Sequence, residues 1–476
     1  MPIRRKLLRE IVLVVCFFIL ISQSLLFAWT TPVNISNTTG HSRFASLAVD
    51  RYGHIHVVWE DDTSGNNEVL YCFSGGEAWH PPVNVSNDPT DSERSDITVD
   101  ALGQLHVAWK DHQSGEIYWT FYDGTSWSSP VNISNNPGYS TCPSLAADDS
   151  GRVYIVWHDI GGGQSDIYFS SYDGTSWLTP QNVTNDALDS AYPDIIVDSK
   201  GYVHLVWMNY GLDIEAYYSK YDGISWSSWV NVSNLEGYSC DPKIALDSQD
   251  HPHVVWEERE HGYEVYYTYF DGEDWTVPYK LSRTNSYRPA LALDSEDRGH
   301  VVWGGASNEI YYTFRSDTSW SVPFDIADTS GRNCLCPDIA IDSTHLHVVW
   351  TKAIDRTRAE IYYSSHKLSG IEPGRWRPFP RGYKLEQCYP NPFNANTAIS
   401  YQLSVVSGQR SAVSLKVYNI LGKEVRTLVD QEQRGGRHQV IWDGGNNQGK
   451  EVASGVYLYR LKAGEFTAAR KMVLLR

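Results

Sequence analysis

Along residues 29–366, apolar and polar positions alternate in short bursts, four to a unit, and the unit recurs. In the third unit the bursts are "SLAAD" (144–148), "VYIVW" (153–157), "DIYFSSY" (166–172) and "WLTPQNVT" (177–184). They are rich in Val, Ile, Tyr and Trp and are parted by Asp/Gly turns, so each predicts a short strand. A tryptophan closes the second burst at Trp59, Trp109, Trp157, Trp207, Trp256, Trp303 and Trp350, every 47 to 50 residues. Another phrase, typically "W-x-x-P-V-N-V-S-N", starts at Trp29, Trp79, Trp127, Trp177, Trp226, Trp275 and Trp320. Four strands per unit at this period, without a helical pattern, predict propeller blades.

The two ends of the array fit each other. With strands labelled A to D from inner to outer, six units run A-B-C-D, but the seventh stops after its C strand, "EIYYSSHK". Residues 29–36, "WTTPVNIS", supply the missing D strand. The expected fold is an all-β, seven-bladed β-propeller with head-to-tail strand closure, which removes an open sheet edge.

Flanking segments differ. Residues 1–28 carry Arg4, Arg5, Lys6 and Arg9, an apolar run from Ile11 to Phe27, and Ala28, the pattern of a signal peptide cut near Ala28. No later stretch has the length and hydropathy of a membrane helix. Residues 367–384, with Pro, Gly and Arg and no alternation, read as a linker. Residues 385–476 alternate again in about seven short strands, which predicts a small β-sandwich.

Charge narrows the partners. The net charge of −18 is concentrated in residues 29–384, since both flanking segments are net positive. So acidic a body disfavours nucleic acid, anionic lipid and polyanionic glycans. Six cysteines follow the signal, without a C-x-x-C pair, so no metal site is expected from them and no cofactor is implied. Cys142, Cys240, Cys334 and Cys336 fall in D–A loops, where disulfides tying one face are expected.

Recurrence separates frame from site. An acid opens each C strand, an aromatic follows three residues later, an Asp ends each A strand, and His precedes the B-strand Trp by three in six blades. Features present in every blade predict a hydrogen-bonded girdle rather than a gathered site. The N-x-S/T phrases in the D strands are read the same way. What varies is one position near the start of each A strand: Phe44, Arg94, Cys142, Tyr192, Asp241, Arg288 and Cys336. With neighbouring Arg43, these should ring the channel mouth, on the face of the D–A and B–C loops. Arg43, Arg94 and Arg288 invite comparison with an anion clamp, although blades two and six should lie far apart. Asp61, Asp111, Asp159 and Glu258 recur in B–C loops on the same face and join the ligand-binding candidates at the mouth. The row could offer a glycosidase its carboxyl pair, while an acidic solvated rim is the favoured expectation.

Two resemblances add to this reading. The turn "SSYDGTSW" (170–177) resembles the Asp-box of sialidases, S-x-D-x-G-x-x-W, less one residue. Residues 29–366 therefore resemble the sialidase-like, Asp-box (BNR-type) propellers, whose sialidases have six blades against seven here. Asp173 lies in a C–D turn, away from the mouth, so the motif is expected to be structural. The tail resembles the C-terminal sorting domain of type IX secretion, an Ig-like module, through Tyr389-Pro390-Asn391-Pro392-Phe393-Asn394, Trp442-Asp443-Gly444 and Ser454-Gly455-Val456-Tyr457, with Cys388 where Asn is usual.

The expectation is an exported or cell-surface bacterial protein, monomeric, delivered by outer-membrane secretion machinery acting on 385–476. It binds a glycan or a cell-surface protein at the mouth without chemistry. A sialidase-like glycoside hydrolase or lyase is the alternative, with no catalytic residues assigned.

Overall fold

The computed structural model describes residues 29–368 and 384–475 apart from short interruptions. The signal segment and nearly all of the linker lie outside the described residues. The chain divides into two compact units, Met1–Ile371 and Glu372–Arg476. The described residues contain no helix, hence none long and apolar enough to cross a membrane.

The first unit is built of seven antiparallel sheets consistent with propeller blades. Blade one, for example, runs A (Arg43–Val49), B (Ile55–Asp61), C (Glu68–Ser74) and D (Val83–Asn84). Blade six carries a fifth strand, because Ser319–Trp320 and Phe324–Asp325 both pair with its C strand, Ile310–Ser316. B strands are buried along their whole length in blades one, two, five and six. Packing by sheets on both faces explains why "VHVVW" is apolar almost throughout instead of alternating.

The D strands are shorter than their sequence phrases. "WLTPQNVT" contributes a two-residue ladder, Gln181–Asn182, and one bridge from Trp177 to Tyr172. Proline three residues after the Trp in six of the seven phrases removes a ladder donor and confines this strand to the edge. The hydroxyls of the N-x-S/T phrases point inward: Thr184 Oγ1 donates to Asp166 Oδ1 at 3.1 Å, and Ser86 bonds Glu68.

Blade seven takes its A to C strands from Arg332–Ile341, His345–Ala353 and Ala359–Lys367. Its D strand is Val33–Asn34, with Val33 opposite Tyr363 and Asn34 opposite Tyr362. The tryptophan before each D strand packs edge-on against the C-strand aromatic of the preceding blade. The pairs are Trp79–Tyr363, Trp127–Tyr71, Trp177–Trp119, Trp226–Phe169, Trp275–Tyr218, Trp320–Tyr267 and Trp29–Tyr312, with centroids 4.8–5.2 Å apart. Such T-shaped contacts each add roughly 0.5–1.5 kcal/mol beyond burial.

The second unit has a three-stranded sheet (Lys384–Leu385, Thr397–Leu403, Gly436–Trp442) and a four-stranded one (Glu424–Arg434, Arg410–Asn419, Gly455–Ala463, Phe466–Leu474). Inward residues of both, including Ile399, Tyr401, Leu415, Trp442, Tyr459 and Leu461, form one core. Tyr389, Pro390 and Pro392 of the sorting-like motif lie outside the described residues. Asn391 Oδ1 accepts from Val473 N at 2.9 Å, and Phe393 exchanges backbone bonds with Val473 and Leu475.

Candidate functional site: the inner-strand bulges and the mouth

Besides a second break in blade seven, between Arg332 and Cys334, the A–B ladder of every blade breaks at one shared position, where two residues of the A strand are unpaired. The first of the two is, in turn, Phe44, Arg94, Cys142, Tyr192, Asp241, Arg288 and Cys336. Each has a left-handed φ between 48° and 54°. A bulge re-aims the side chain that it carries, here one of five kinds in the seven blades. Proline is the second residue in five of them, where no ladder donor is needed.

The amide freed at the bulge is caught by the residue after the B-strand Trp of the preceding blade. Phe44 N donates to Thr351 Oγ1 (3.2 Å), Arg94 N to Glu60 Oε2 (3.1 Å), Tyr192 N to His158 Nδ1 (3.3 Å) and Arg288 N to Glu257 Oε2 (2.9 Å). This position was not singled out from sequence. Arg43, counted there with the mouth, is instead ion-paired with Glu60, whose carboxyl burial pushes up against that opposing charge.

Blades two and six do meet. The guanidinium carbons of Arg94 and Arg288 lie 4.5 and 5.0 Å from the ring centroid of Phe44. The expected separation failed because it was counted along the series of blades. Phe44 of blade one lies between them, and two long side chains reach it. Arg288 Nη1 also donates to Cys336 Sγ at 3.2 Å. Burial raises the Cys336 and Cys142 thiols, with the arginines opposing, and it raises the Tyr192 phenol. Tyr192 is therefore held protonated, a donor rather than a base.

Two residues beyond the bulge stand Ser46, Asp96, Ser144, Asp194, Lys243, Ala290 and Asp338. The sequence reading missed this charged set, although polar residues in an apolar A-strand phrase were the available signal. Lys243 Nζ bonds Asp194 Oδ1 at 2.8 Å and acts electrostatically on Asp96 and Asp338 as well. Its side chain keeps 46% of its surface exposed. One ammonium thus pairs with the carboxylate of blade four and acts on those of blades two and seven. Asp96 and Asp194 also accept the amides of Leu145 (2.7 Å) and Ile244 (2.9 Å), and Asp338 that of Leu47 (2.9 Å), so each joins its blade to the next.

The acidic row is not a solvated rim. Asp61, Asp111, Asp159 and Glu258 are buried, at 1–4% exposure. Ser42, Ser140 and Ser239 donate to Asp61, Asp159 and Glu258 at 2.6, 2.7 and 2.8 Å, and Thr90 bonds Asp111. Each ties a D–A loop to its own B strand. Gly138 makes room for one of them, since a Cβ there would stand 1.9 Å from Asp159 Oδ1.

The disulfides expected across the mouth are not formed. Cys142, Cys240, Cys334 and Cys336 are free thiols, as is Cys72. Cys240 and Cys334 are buried, with thiols pushed up to about 12 by burial, whereas Cys142 and Cys336 occupy bulges of blades three and seven. Asp241, the fifth bulge residue, lies 3.6 Å from Arg259 Nη2.

The girdle is present as Asp–His–Tyr chains across the A, B and C strands. His300 bonds Tyr312 Oη at 2.7 Å and Asp294 Oδ2 at 3.1 Å, and His347 bonds Tyr363 Oη at 2.7 Å and Asp342 Oδ2 at 3.0 Å. Asp173 of the Asp-box turn accepts the amides of Thr175 and Ser176 at 2.9 Å each and the Thr175 hydroxyl at 2.6 Å. These bonds hold its carboxyl at about 2. They are the turn's own, which leaves the motif architectural.

Buried titratable groups give stability a pH signature. Burial holds the imidazoles of His56, His158 and His204 at about 4, below the usual 6.5. They are neutral when folded and protonate on unfolding, so the stability they lend is full above pH 6.5 and is lost as pH falls towards 4. Asp338 acts in the opposite sense. Burial raises it from 3.8 to about 6, so its cost is present above pH 6 and disappears as pH falls towards 3.8. Burial also lowers His253, His300 and His345 and raises Glu60, Asp96 and Glu215, so six imidazoles outweigh four carboxyls. The melting temperature should fall between pH 6.5 and 4, and Asp338→Asn should steepen that fall; a shallower curve in the variant would contradict the assignment.

Residues 93–282 match the family described as BNR repeat-containing family member, and residues 393–465 match the FlgD Ig-like domain. No curated protein matches the sequence. Among solved structures, an ulvan lyase of a polysaccharide lyase family, bound to -[GlcA(1-4)Rha3S]-, is 10% identical with a TM-score of 0.49, over 70% of this chain and 93% of that one. A sialidase from Streptococcus pneumoniae is 11% identical with a TM-score of 0.41, over 72% and 70%. A protein of unknown function from Dyadobacter fermentans is 13% identical with a TM-score of 0.46, over 72% and 99%. Likenesses this distant transfer no activity to this chain.

Proposed function

We propose that the first unit is a closed, seven-bladed propeller that binds a glycan at its mouth without performing chemistry on it. One observation carries the reading. Tyr192, at the bulge of blade four, interacts electrostatically with Arg94 and Arg288 of the stack on Phe44, and Tyr210, at the end of the same blade's B strand, with Tyr192. Both are 36% exposed, and Tyr139, Tyr238 and Tyr263, on D–A and B–C loops of blades three and five, are 37–47% exposed. Tyrosines present a flat apolar ring and a hydroxyl, the combination that suits a sugar's CH face and its hydroxyls. The two guanidiniums add donors for an acidic substituent.

Against hydrolysis stands the use of the four carboxylates within their own blades. A glycosidase needs a carboxyl pair facing one bond across about 5–10 Å. The protonated Tyr192 likewise argues against proton abstraction by that residue.

A glycan array with wild type, Tyr210→Ala and Arg288→Ala tests the proposal. Wild type should retain a defined set of glycans, and each variant should lose at least about tenfold in affinity, roughly 1.4 kcal/mol. Asp173→Asn should bind as wild type does. Cleavage of any retained glycan in the same samples would replace binding by a hydrolase or lyase reading, and equal binding by the mouth variants would remove the site.

The second unit is proposed as a sorting and surface-attachment domain, following the tail's resemblance to such modules and its match to an Ig-like domain. Deleting residues 385–476 should hold the propeller inside the outer membrane; a truncated chain appearing at the cell surface would refute this address.

A further inference from the structure

On the face away from the mouth, the A–B turn of blade one gathers donors that the girdle does not use up. Asp50 ends the A strand, His54 closes the turn and His56 enters the B strand. One ligand atom from each lies within 4.8 Å of the others, the one such group among the described residues. Asp50 Oδ1 accepts the amides of Tyr52 and His54 at 2.8 Å each, which fixes the carboxylate and turns Oδ2 towards the histidines. His54 Nδ1 stands 2.8 Å from Oδ2. His56 Nδ1 is engaged by Tyr71 Oη at 2.8 Å, leaving Nε2 as its free atom. That Nε2 is buried, has no hydrogen-bond partner and lies 3.7 Å from Asp50 Oδ2.

The other blades are an internal control. Where Gln104, Tyr202 or Arg298 takes the place of His54, the girdle histidine reaches its Asp, at 3.3 Å for His106, 3.3 Å for His204 and 3.1 Å for His300. In blades one and five a second histidine occupies Oδ2 and the girdle nitrogen is left unpartnered at 3.7 Å. A hydrogen bond alone leaves that buried nitrogen unsatisfied. A cation among the three donors of blade one satisfies all of them; blade five shares the unpartnered nitrogen, but its three donors do not close to within 4.8 Å of one another.

We propose that Asp50, His54 and His56 form a binding site for a divalent transition-metal ion, with Zn2+ the ion best suited to two imidazoles and one carboxylate. His54 and His56 are two apart along the chain, as for side chains on one face of a strand. Tyr71 holds the His56 ring as outer partners of metal-bound histidines do. The side chain of His54 is 42% exposed and that of His56 9%, so the ion would be held from below with a coordination position open to solvent.

Untagged full chain, stripped with a chelator and titrated with Zn2+ by calorimetry, tests the site. One equivalent should bind and raise the melting temperature. His54→Ala, and His54→Gln, which keeps a donor for Asp50 but no imidazole, should each lose at least about tenfold in affinity. Tyr71→Phe should weaken binding, and His251→Ala, in the corresponding turn of blade five, should not. No uptake by wild type, undiminished uptake by both His54 variants, or a loss falling on His251→Ala instead would overturn the proposal.

Discussion

A chain lacking residues 29–37 should melt about 10 °C or more below the intact protein. This segment lays Val33–Asn34 against Tyr362 and Tyr363, and Thr30 N and Ile35 N donate to Ser365 O and Ile361 O at 2.8 and 2.9 Å. Ile35 is 4% exposed, worth about 2–3 kcal/mol of burial. Ser36 Oγ donates to Glu360 Oε2 and accepts Ile361 N at 2.9 Å. Its loss would leave a fully buried carboxylate one donor short, at about 1–3 kcal/mol. Trp29 would abandon Tyr312, and the C strand of blade seven would become an open edge. Supplying residues 29–37 as a peptide should restore much of the loss. An unchanged melt on deletion would sink the head-to-tail reading outright.

Trp442→Ala should abolish the cooperative transition of the C-terminal unit. Trp442 has no exposed surface, donates its indole N–H to Gly445 O at 2.9 Å, and packs edge-on against Phe393 and Tyr457 at 5.6 and 5.2 Å. Truncating such a residue costs about 3–5 kcal/mol, against a total of roughly 5–10 kcal/mol for a unit of about ninety residues. Phe393 loses its support at the same time, and with it the anchor of the last strand, since Phe393 O accepts Leu475 N at 2.7 Å. Calorimetry would show a transition lost or displaced far downward; a displacement worth under about 1 kcal/mol would mean that the Trp-Asp-Gly turn is not the keystone described.

The architecture was legible because a blade must bury both faces of its B strand, and that demand writes the same phrase seven times. Trp59 through Trp350 announce it, and Asp173's turn repeats for the same reason. The site was only partly legible. Position along the repeat located Phe44, Arg94, Tyr192 and Arg288, but the left-handed backbone that aims them leaves no mark in residues such as Phe or Arg. Contact between Arg94 and Arg288 depends on side-chain reach across inner strands, which no count along the chain supplies. Asp61 and Glu258 looked like surface acids because their serine partners sit about nineteen residues away, in another loop. The cysteines likewise suggested pairing by shared loop type, whereas packing decides which thiols can meet.

Seven non-glycine residues at φ near +50° are a standing cost. At about 1–2 kcal/mol each, the strain is on the order of 10 kcal/mol, comparable to the whole stability of an ordinary domain. Glycine would relieve it at every position, yet none of the seven is glycine, and none is β-branched either. Selection for robustness alone would therefore empty the mouth, one relaxed bulge at a time. A laboratory evolution run under heat, with no demand for binding, should accumulate glycine at residues 44, 94, 142, 192, 241, 288 and 336, yielding a hardier molecule without the side chains proposed above to meet a glycan.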